Sequence, residues 1–307
     1  MREESQRASI EGHLLHRLTI HPADGVQVCA EAIFYHGQGD YADRYLDILH
    51  PFVDRGIRCI ITELPGHGYS PGVRGHCGDA SVLDAVIEST LENVRSRGSL
   101  PVGVMGHSMG GLLAARHLVM AGQGRLPAPS FAWLSSPLID PAMGRHPLFL
   151  RAARFLSPVM PGLTFCTKVK PENFSAITGD DELDHIAQAD QKEVCITKHK
   201  LWHNRVSLGW GTTLLDFAQQ LQASVQDIPE HIPVLCTQGS KDLVCPAVIA
   251  REFFERLPNK KKRYQEISEL RHEPFSGDGS EQLFQTLLEW LETLELHADA
   301  KKKAPVH

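Results

Sequence analysis

The chain is short of several things that would assign it quickly. None of its apolar runs is long enough to cross a bilayer, so no membrane-spanning helix is expected. Basic charge is not in excess. The formal net charge is −6, which argues against a nucleic-acid surface. The dense basic runs are Lys260–Arg263, before a strand-like stretch, and Lys301–Lys303 in a polar tail; both read as solvated charge. The seven cysteines are odd in number and scattered, with no zinc-type spacing and no disulfide framework. No metal or cofactor is expected, and a reducing, cytoplasmic setting is. Met1–Arg7 is charged and has no apolar h-region, so no signal peptide is read there.

What is present is an ordinary globular composition, 42% hydrophobic and 22% charged, over 307 residues. That is enough for one large α/β domain or two smaller ones. Strand-like and helix-like segments alternate through the first 135 residues. The strands are read at Val26–Tyr35, Arg58–Leu64, Pro101–Met105 and Phe131–Leu134. The helices are read at Tyr41–Val53, with Pro51 as a kink, at Ser81–Val94 and at Gly111–Met120. Such alternation predicts a mostly parallel sheet with helices on both faces.

The rhythm breaks after Ser135-Ser-Pro137. Between Leu138 and about Gln226 no strand is evident, prolines are frequent, and a polar stretch surrounds Gly179–Glu182. Strand and helix then resume at Ile232–Gln238, Ala247–Leu257, Arg263–Ile267 and Glu281–Leu296. The expected organisation is a core of residues 1–137 and 229–297, a helical cap inserted at 138–228, and a disordered tail at 298–307. Residues 1–12 also look frayed.

Gly106-His-Ser-Met-Gly110 fits a G-x-S-x-G nucleophile elbow, in which serine sits on a tight strand-to-helix turn. A serine hydroxyl needs a base within reach and a third group to orient that base. In the α/β-hydrolase order of serine, acid, histidine, Asp242 and His272 follow, each just past a strand. Asp278 and Glu269 are more distant substitutes for the acid, and Asp242 has a plain alternative as a helix N-cap. An oxyanion hole is expected from the backbone N–H groups of Met109 and of Gln38, in the Tyr35-His-Gly-Gln-Gly39 loop. His67 and His107 flank these loops and are expected to pack and hydrogen-bond. Ser135 and Ser136 read as loop residues below the cap.

Six motifs carry a likeness: His36-Gly-Gln-Gly39; Gly66-His-Gly-Tyr-Ser-Pro-Gly72 with Arg74-Gly75; Gly106-His-Ser-Met-Gly-Gly111; Leu134-Ser-Ser-Pro-Leu138; Gln238-Gly-Ser-Lys-Asp-Leu-Val-Cys245; and His272-Glu273. With them the chain resembles the monoacylglycerol lipase and lysophospholipase group of serine α/β-hydrolases, from about residue 33 to 275. The resemblance implies Ser108 as nucleophile, Asp242 as acid, His272 as base, and Gln38 and Met109 as oxyanion donors. It places Cys245 near the site and makes the insertion a cap that forms an acyl tunnel. Substrate contacts are expected at His36, Gly37, Leu138, Phe149 and Val244. The implied activity is hydrolysis of single-chain acyl esters. The chain departs from the group's usual pattern at His199-Lys-Leu-Trp-His203 and at Pro274, where leaving-group selectivity would be set.

Other readings remain open on the sequence. Pro147–Phe165, with Arg151 and Arg154, reads either as a lid that docks transiently on lipid surfaces or as cap core around a tunnel. A proline-iminopeptidase-like activity would need an acidic pair in the cap, for which Asp180, Asp181 and Glu182 are candidates. Gly37-x-Gly39-x-x-Ala42 with Glu63 fits a dinucleotide fingerprint, which would make the chain an NAD(P)-dependent oxidoreductase. A catalytically dead ligand receptor is a third class.

Overall fold

A computed structural model describes residues 1–142, 145–166, 201–276 and 279–296. Its centre is an eight-stranded sheet. The strands are β1 (Arg2–Ile10), β2 (His13–His21), β3 (Ala30–Tyr35), β4 (Ile57–Thr62), β5 (Val102–His107), β6 (Phe131–Ser135), β9 (Val234–Gly239) and β10 (Lys262–Ile267). Their spatial order is β1-β2-β4-β3-β5-β6-β9-β10. From β4 to β10 every pairing is parallel, while β1 and β2 run antiparallel to their neighbours.

The period-two alternation of the strands feeds two cores. On β3, Ile33 and Tyr35 face one side, and Ala30, Ala32 and Phe34 face the other. The first side is covered by α2 (Ala80–Arg95), α3 (Met109–Gly122), α5 (Leu208–Ser224) and α6 (Ala247–Arg256). The second is covered by α1 (Leu46–Val53) and α7 (Glu281–Glu292), through Ile48, Phe52, Leu287 and Trp290. Helix α3 is buried nearly all round, lying between the sheet and α5. This is the doubly covered α/β-hydrolase architecture read from the sequence.

Several expectations are corrected. Residues 1–12 are not frayed: β1 pairs along its length with β2 from Arg2↔His21 to Ile10↔His13. The strand expected from Val26 begins at Ala30. The helix expected to reach Leu296 ends at Glu292. The region without evident strands contains a two-stranded ribbon, β7 (Thr164–Cys166) against β8 (Arg205–Ser207), beside α4 (Pro147–Leu156) and α5. Three-residue strands are too short for a two-residue period to register. Ser135 closes β6, and both it and Ser136 are wholly buried. The polar stretch Gly179–Glu182, including Asp180 and Asp181, lies outside the described residues, as do Asp278, His199 and the 298–307 tail.

Candidate active site

The C-terminal ends of β3, β5, β9 and β10 converge on one point. β5 ends at His107 and α3 begins at Met109, so Ser108 must reverse the chain in a single residue. It does so at φ 55°, ψ −118°, a conformation L-residues rarely adopt. Its neighbours allow this by having no side chain. A Cβ on Gly106 would stand 2.1 Å from Gly110 O, and one on Gly110 would stand 1.8 Å from Tyr35 O. Hydrogen bonds hold the turn: Ser108 N–H donates to Ser135 O at 2.9 Å, and Leu138 N–H donates to Ser108 O at 2.9 Å.

Ser108 Oγ lies 2.8 Å from His272 Nε2, and His272 Nδ1 lies 2.8 Å from Asp242 Oδ2. The acid is fully engaged. Its Oδ1 accepts from the N–H groups of Val244 and Cys245, each at 2.8 Å, and its Oδ2 also accepts from Gln238 Nε2 at 2.7 Å. An unprotonated carboxylate is the form that can take all four bonds. Burial works against charge on His272, but Asp242 beside it, with Glu273 and Asp40, outweighs burial and raises the ring above its ordinary 6.5. The His107 ring lies 4.9 Å from that of His272, tilted by 48°, and is held neutral by burial, with His272 and Arg44 adding to the effect. Of the two substitutes for the acid, Glu269 pairs with Lys241 at the surface, and Asp278 lies outside the described residues.

The loop after β3 is held from several directions. Gly37 N–H donates to Tyr45 OH at 2.8 Å, and Tyr45 OH donates to Asp40 Oδ2 at 2.6 Å. Arg44 bridges Asp40 and Glu273 at 2.6 and 2.7 Å, which ties this loop to the residue after His272. Sequence reading passed over Asp40 and Arg44; their i,i+4 spacing was the available signal. Met109 opens α3, so its N–H has no acceptor inside the helix and sits at the positive end of the helix dipole.

Ser108 and His272 open onto a cavity of about 780 Å³. Its apolar wall includes Leu138, Phe149, Leu150, Leu208, Leu214 and Val244, and its polar end includes Gly37, Gln38, Arg44, His203 and Glu273. Four of the five expected substrate contacts therefore line it. His36 does not. It is buried behind the loop, where its Nδ1 donates to Gly37 O at 2.8 Å and its Nε2 accepts from Leu64 N–H at 3.0 Å. The dinucleotide reading also fails on its acid. Glu63 is wholly buried and spends its carboxylate on the N–H groups of Ala42 and Tyr69 and on His16, leaving nothing for a ribose.

The stretch Pro147–Phe165 divides. Phe149, Leu150, Ala153 and Phe165 face the cavity, while Leu148 is 65% exposed, Phe155 82% and Val159 79%. Arg154 pairs with Asp216 on α5 at 2.8 Å. Among the described residues no cluster of His, Cys, Asp or Glu could hold a metal ion, and no helix is long and apolar enough to cross a membrane.

A family model described as "Serine aminopeptidase, S33" matches residues 27–278. An uncharacterized abhydrolase domain-containing protein of Dictyostelium discoideum is 28% identical over 286 residues, which is 91% of this chain and 28% of that protein; the chain thus spans under a third of that relative's length. A monoacylglycerol lipase of Mycolicibacterium smegmatis is 25% identical over 264 residues, 84% of this chain and 86% of that protein. Among solved structures, the Paleococcus ferrophilus monoacylglycerol lipase superposes with a TM-score of 0.75 at 24% identity, covering 90% of this chain and 98% of that one.

Proposed function

The chain belongs to the serine aminopeptidase S33 family of α/β-hydrolases, and from that premise we propose that it hydrolyses single-chain acyl esters, such as a monoacylglycerol or lysophospholipid, through an acyl-enzyme on Ser108. The observation that carries this reading is the unbroken run of 2.8 Å contacts from Ser108 to His272 to Asp242, opening onto a mainly apolar cavity. A curated relative named as a monoacylglycerol lipase supports it, and peptide-bond cleavage is not favoured.

In this reading His272 Nε2 takes the Ser108 proton as Oγ attacks the ester carbonyl carbon. The carbonyl π-electrons move to oxygen, and the N–H groups of Gln38 and Met109 hold that oxyanion. Collapse of the tetrahedral species breaks the bond to the alcohol, which leaves with the proton from His272. Water then repeats the sequence on the acyl-enzyme and returns the acid and Ser108. Asp242 holds the His272 proton on Nδ1 and stabilises the charged ring. The acyl chain lies along Leu138, Phe149, Val244 and the α5 wall, and the alcohol lies toward the polar end.

Residues 138–228 act as a cap over a core formed by 1–137 and 229–297. The exposed Leu148, Phe155 and Val159 on and beyond α4, with Arg151 and Arg154, make brief contact with a lipid surface. Co-sedimentation with anionic vesicles tests this: a triple change of Leu148, Phe155 and Val159 to serine reduces the bound fraction, and an unchanged fraction removes the idea. Free thiols at the six described cysteines accord with the cytoplasmic setting read from the sequence.

The principal test is Ser108→Ala. It abolishes turnover of p-nitrophenyl esters and labelling by a fluorophosphonate. Residual turnover above a few per cent overturns the nucleophile. A series of acyl lengths, then monoacylglycerol against lysophosphatidylcholine, names the substrate. A sharp preference for acetyl overturns the acyl tunnel.

A further inference from the structure

The residue proposed as an oxyanion donor has a side chain that the mechanism does not use. Gln38 Nε2 donates to Arg205 O at 2.7 Å, and Gln38 Oε1 accepts from Trp210 Nε1 at 2.6 Å. Both partners come from the excursion between β6 and β9: Arg205 from β8 and Trp210 from the first turn of α5. Both ends of one amide are therefore spent in joining the loop after β3 to the far side of the cavity. A primary amide suits this task, since it carries a donor and an acceptor at one tip.

The partners are themselves fixed. Trp210 is wholly buried, and its backbone N–H donates to Oγ of Ser207, the N-cap of α5, at 3.0 Å. Ser207 N–H donates to Gly75 O at 2.7 Å, in the loop after β4. One residue beyond Gln38, His203 N–H donates to Gly39 O at 2.9 Å, and the backbones meet so closely that a Cβ on Gly39 would stand 1.7 Å from His203 O. The flanks of Gln38 are anchored below by Tyr45 and above by His203, and its side chain is anchored by Trp210.

We propose that Trp210 and the Arg205 carbonyl are positioning groups for the oxyanion hole: through the Gln38 amide they hold the Gln38 backbone N–H where the tetrahedral oxygen forms. This rests on the reading of Gln38 as an oxyanion donor. The same β8–α5 segment lines the cavity through Val206, Leu208 and Leu214, so the wall that meets the acyl chain also fixes the hole. Outright loss of an oxyanion donor costs about 10²–10³ in rate, and loosening one that stays tethered at both flanks costs about tenfold.

The test is a double-mutant cycle of Gln38→Met and Trp210→Phe on a short p-nitrophenyl ester, which barely enters the acyl tunnel. Each single change lowers kcat about tenfold and leaves KM within about twofold, because the bond acts in the transition state. The double variant loses no more than Gln38→Met alone, because that change already removes the Trp210 contact together with the bond to Arg205 O. Affinity for a trifluoromethyl ketone, whose hemiketal oxyanion occupies the hole, falls in step with kcat/KM. Unchanged kcat, a rise in KM alone, losses that multiply, or ketone affinity that stays put overturns the latch. Gln38 is only half-buried, so Gln38→Met decides the matter if Trp210→Phe folds poorly. If the parent neither turns over ester nor binds the ketone, the reading of the site has failed, and the latch falls with it.

Discussion

An Asp242→Asn substitution keeps the side chain's shape and reverses the hydrogen-bonding direction of one terminal atom. The asparagine oxygen must stay toward Val244 and Cys245, because both present N–H groups. Its NH2 then replaces Oδ2, facing His272 Nδ1 and Gln238 Nε2. It can donate to Nδ1 only if the ring carries its proton on Nε2. The ring then points a proton rather than a lone pair at Ser108 Oγ, 2.8 Å away, and cannot act as a base. A wrong tautomer of this kind costs on the order of 10⁴ in kcat in the trypsin case from which the rule is drawn. The fold loses less. Gln238 can rotate its amide and offer Oε1, which has no partner now, at the cost of its 2.9 Å bond to Cys245 O. That exchange is worth about 1 kcal/mol, or a few degrees in Tm. The assay is kcat/KM on a p-nitrophenyl ester from pH 6 to 10, beside thermal unfolding. In the parent, activity needs the neutral ring, so it rises with pH through a value above 6.5. The stability lent by the charged His272–Asp242 pair has the opposite sense: it is complete below the unfolded value near 6.5 and lost as pH rises through the raised folded value. A variant that folds and keeps kcat/KM within tenfold of the parent refutes the proton-transfer scheme.

Glu273→Gln keeps an oxygen for Arg44 but removes one of the charges that raise His272, so the acid limb of the kcat/KM profile moves to lower pH; an unmoved limb separates Glu273 from the base. Gly39→Ala places a Cβ against His203 O at a backbone φ of +79°, and should cost on the order of 2–4 kcal/mol, read as a drop in Tm. A Tm within about a degree of the parent shows that the loop yields there.

The sheet and its helices were legible wherever burial imposed a period. β3 to β6 and β9 appear as apolar runs bounded by turn residues, and α2 and α7 as apolar stripes; β10 is polar and half-buried over most of its length. The first hairpin was not legible for a physical reason. β1 is an edge strand whose residues are mostly exposed and polar, and β2 buries His16, Arg17 and Thr19 among Leu15, Leu18 and Ile20, which breaks the period-two alternation. Those groups are satisfied by partners far along the chain: His16 by Glu63, and Arg17 by Thr62 and Ser89. Ser108, Asp242 and His272 could be found because each follows a strand within a recognisable motif. The Arg44–Glu273 pair and the Gln38–Trp210 bridge could not, since they join residues 229 and 172 positions apart and no local pattern records such pairings. His36 was misplaced for a related reason: its motif lies beside the cavity, but its ring points away from it.

The direct pairing of β6 with β9 has a consequence for how such chains diversify. Ala132 to Ser135 hydrogen-bond in register with Val234 to Thr237, although nearly a hundred residues separate them in the sequence. The strand order closes directly across this gap, while the intervening stretch adds α5 to the core over α3 and supplies much of the cavity wall. A graft from a homologous chain that keeps the α5 core residues would retain the strand order, the elbow and the proton relay while replacing much of the cavity wall. Its junction with the host includes the α5 packing, the backbone bonds of His203 to Gly39 and of Ser207 to Gly75, and the Gln38 amide: a transplanted segment without an indole and a free carbonyl opposite Gln38 brings new specificity and a loosened catalytic loop together. Exchange of specificity in this architecture is therefore a two-component problem, in which the incoming segment and residue 38 must be chosen as a pair.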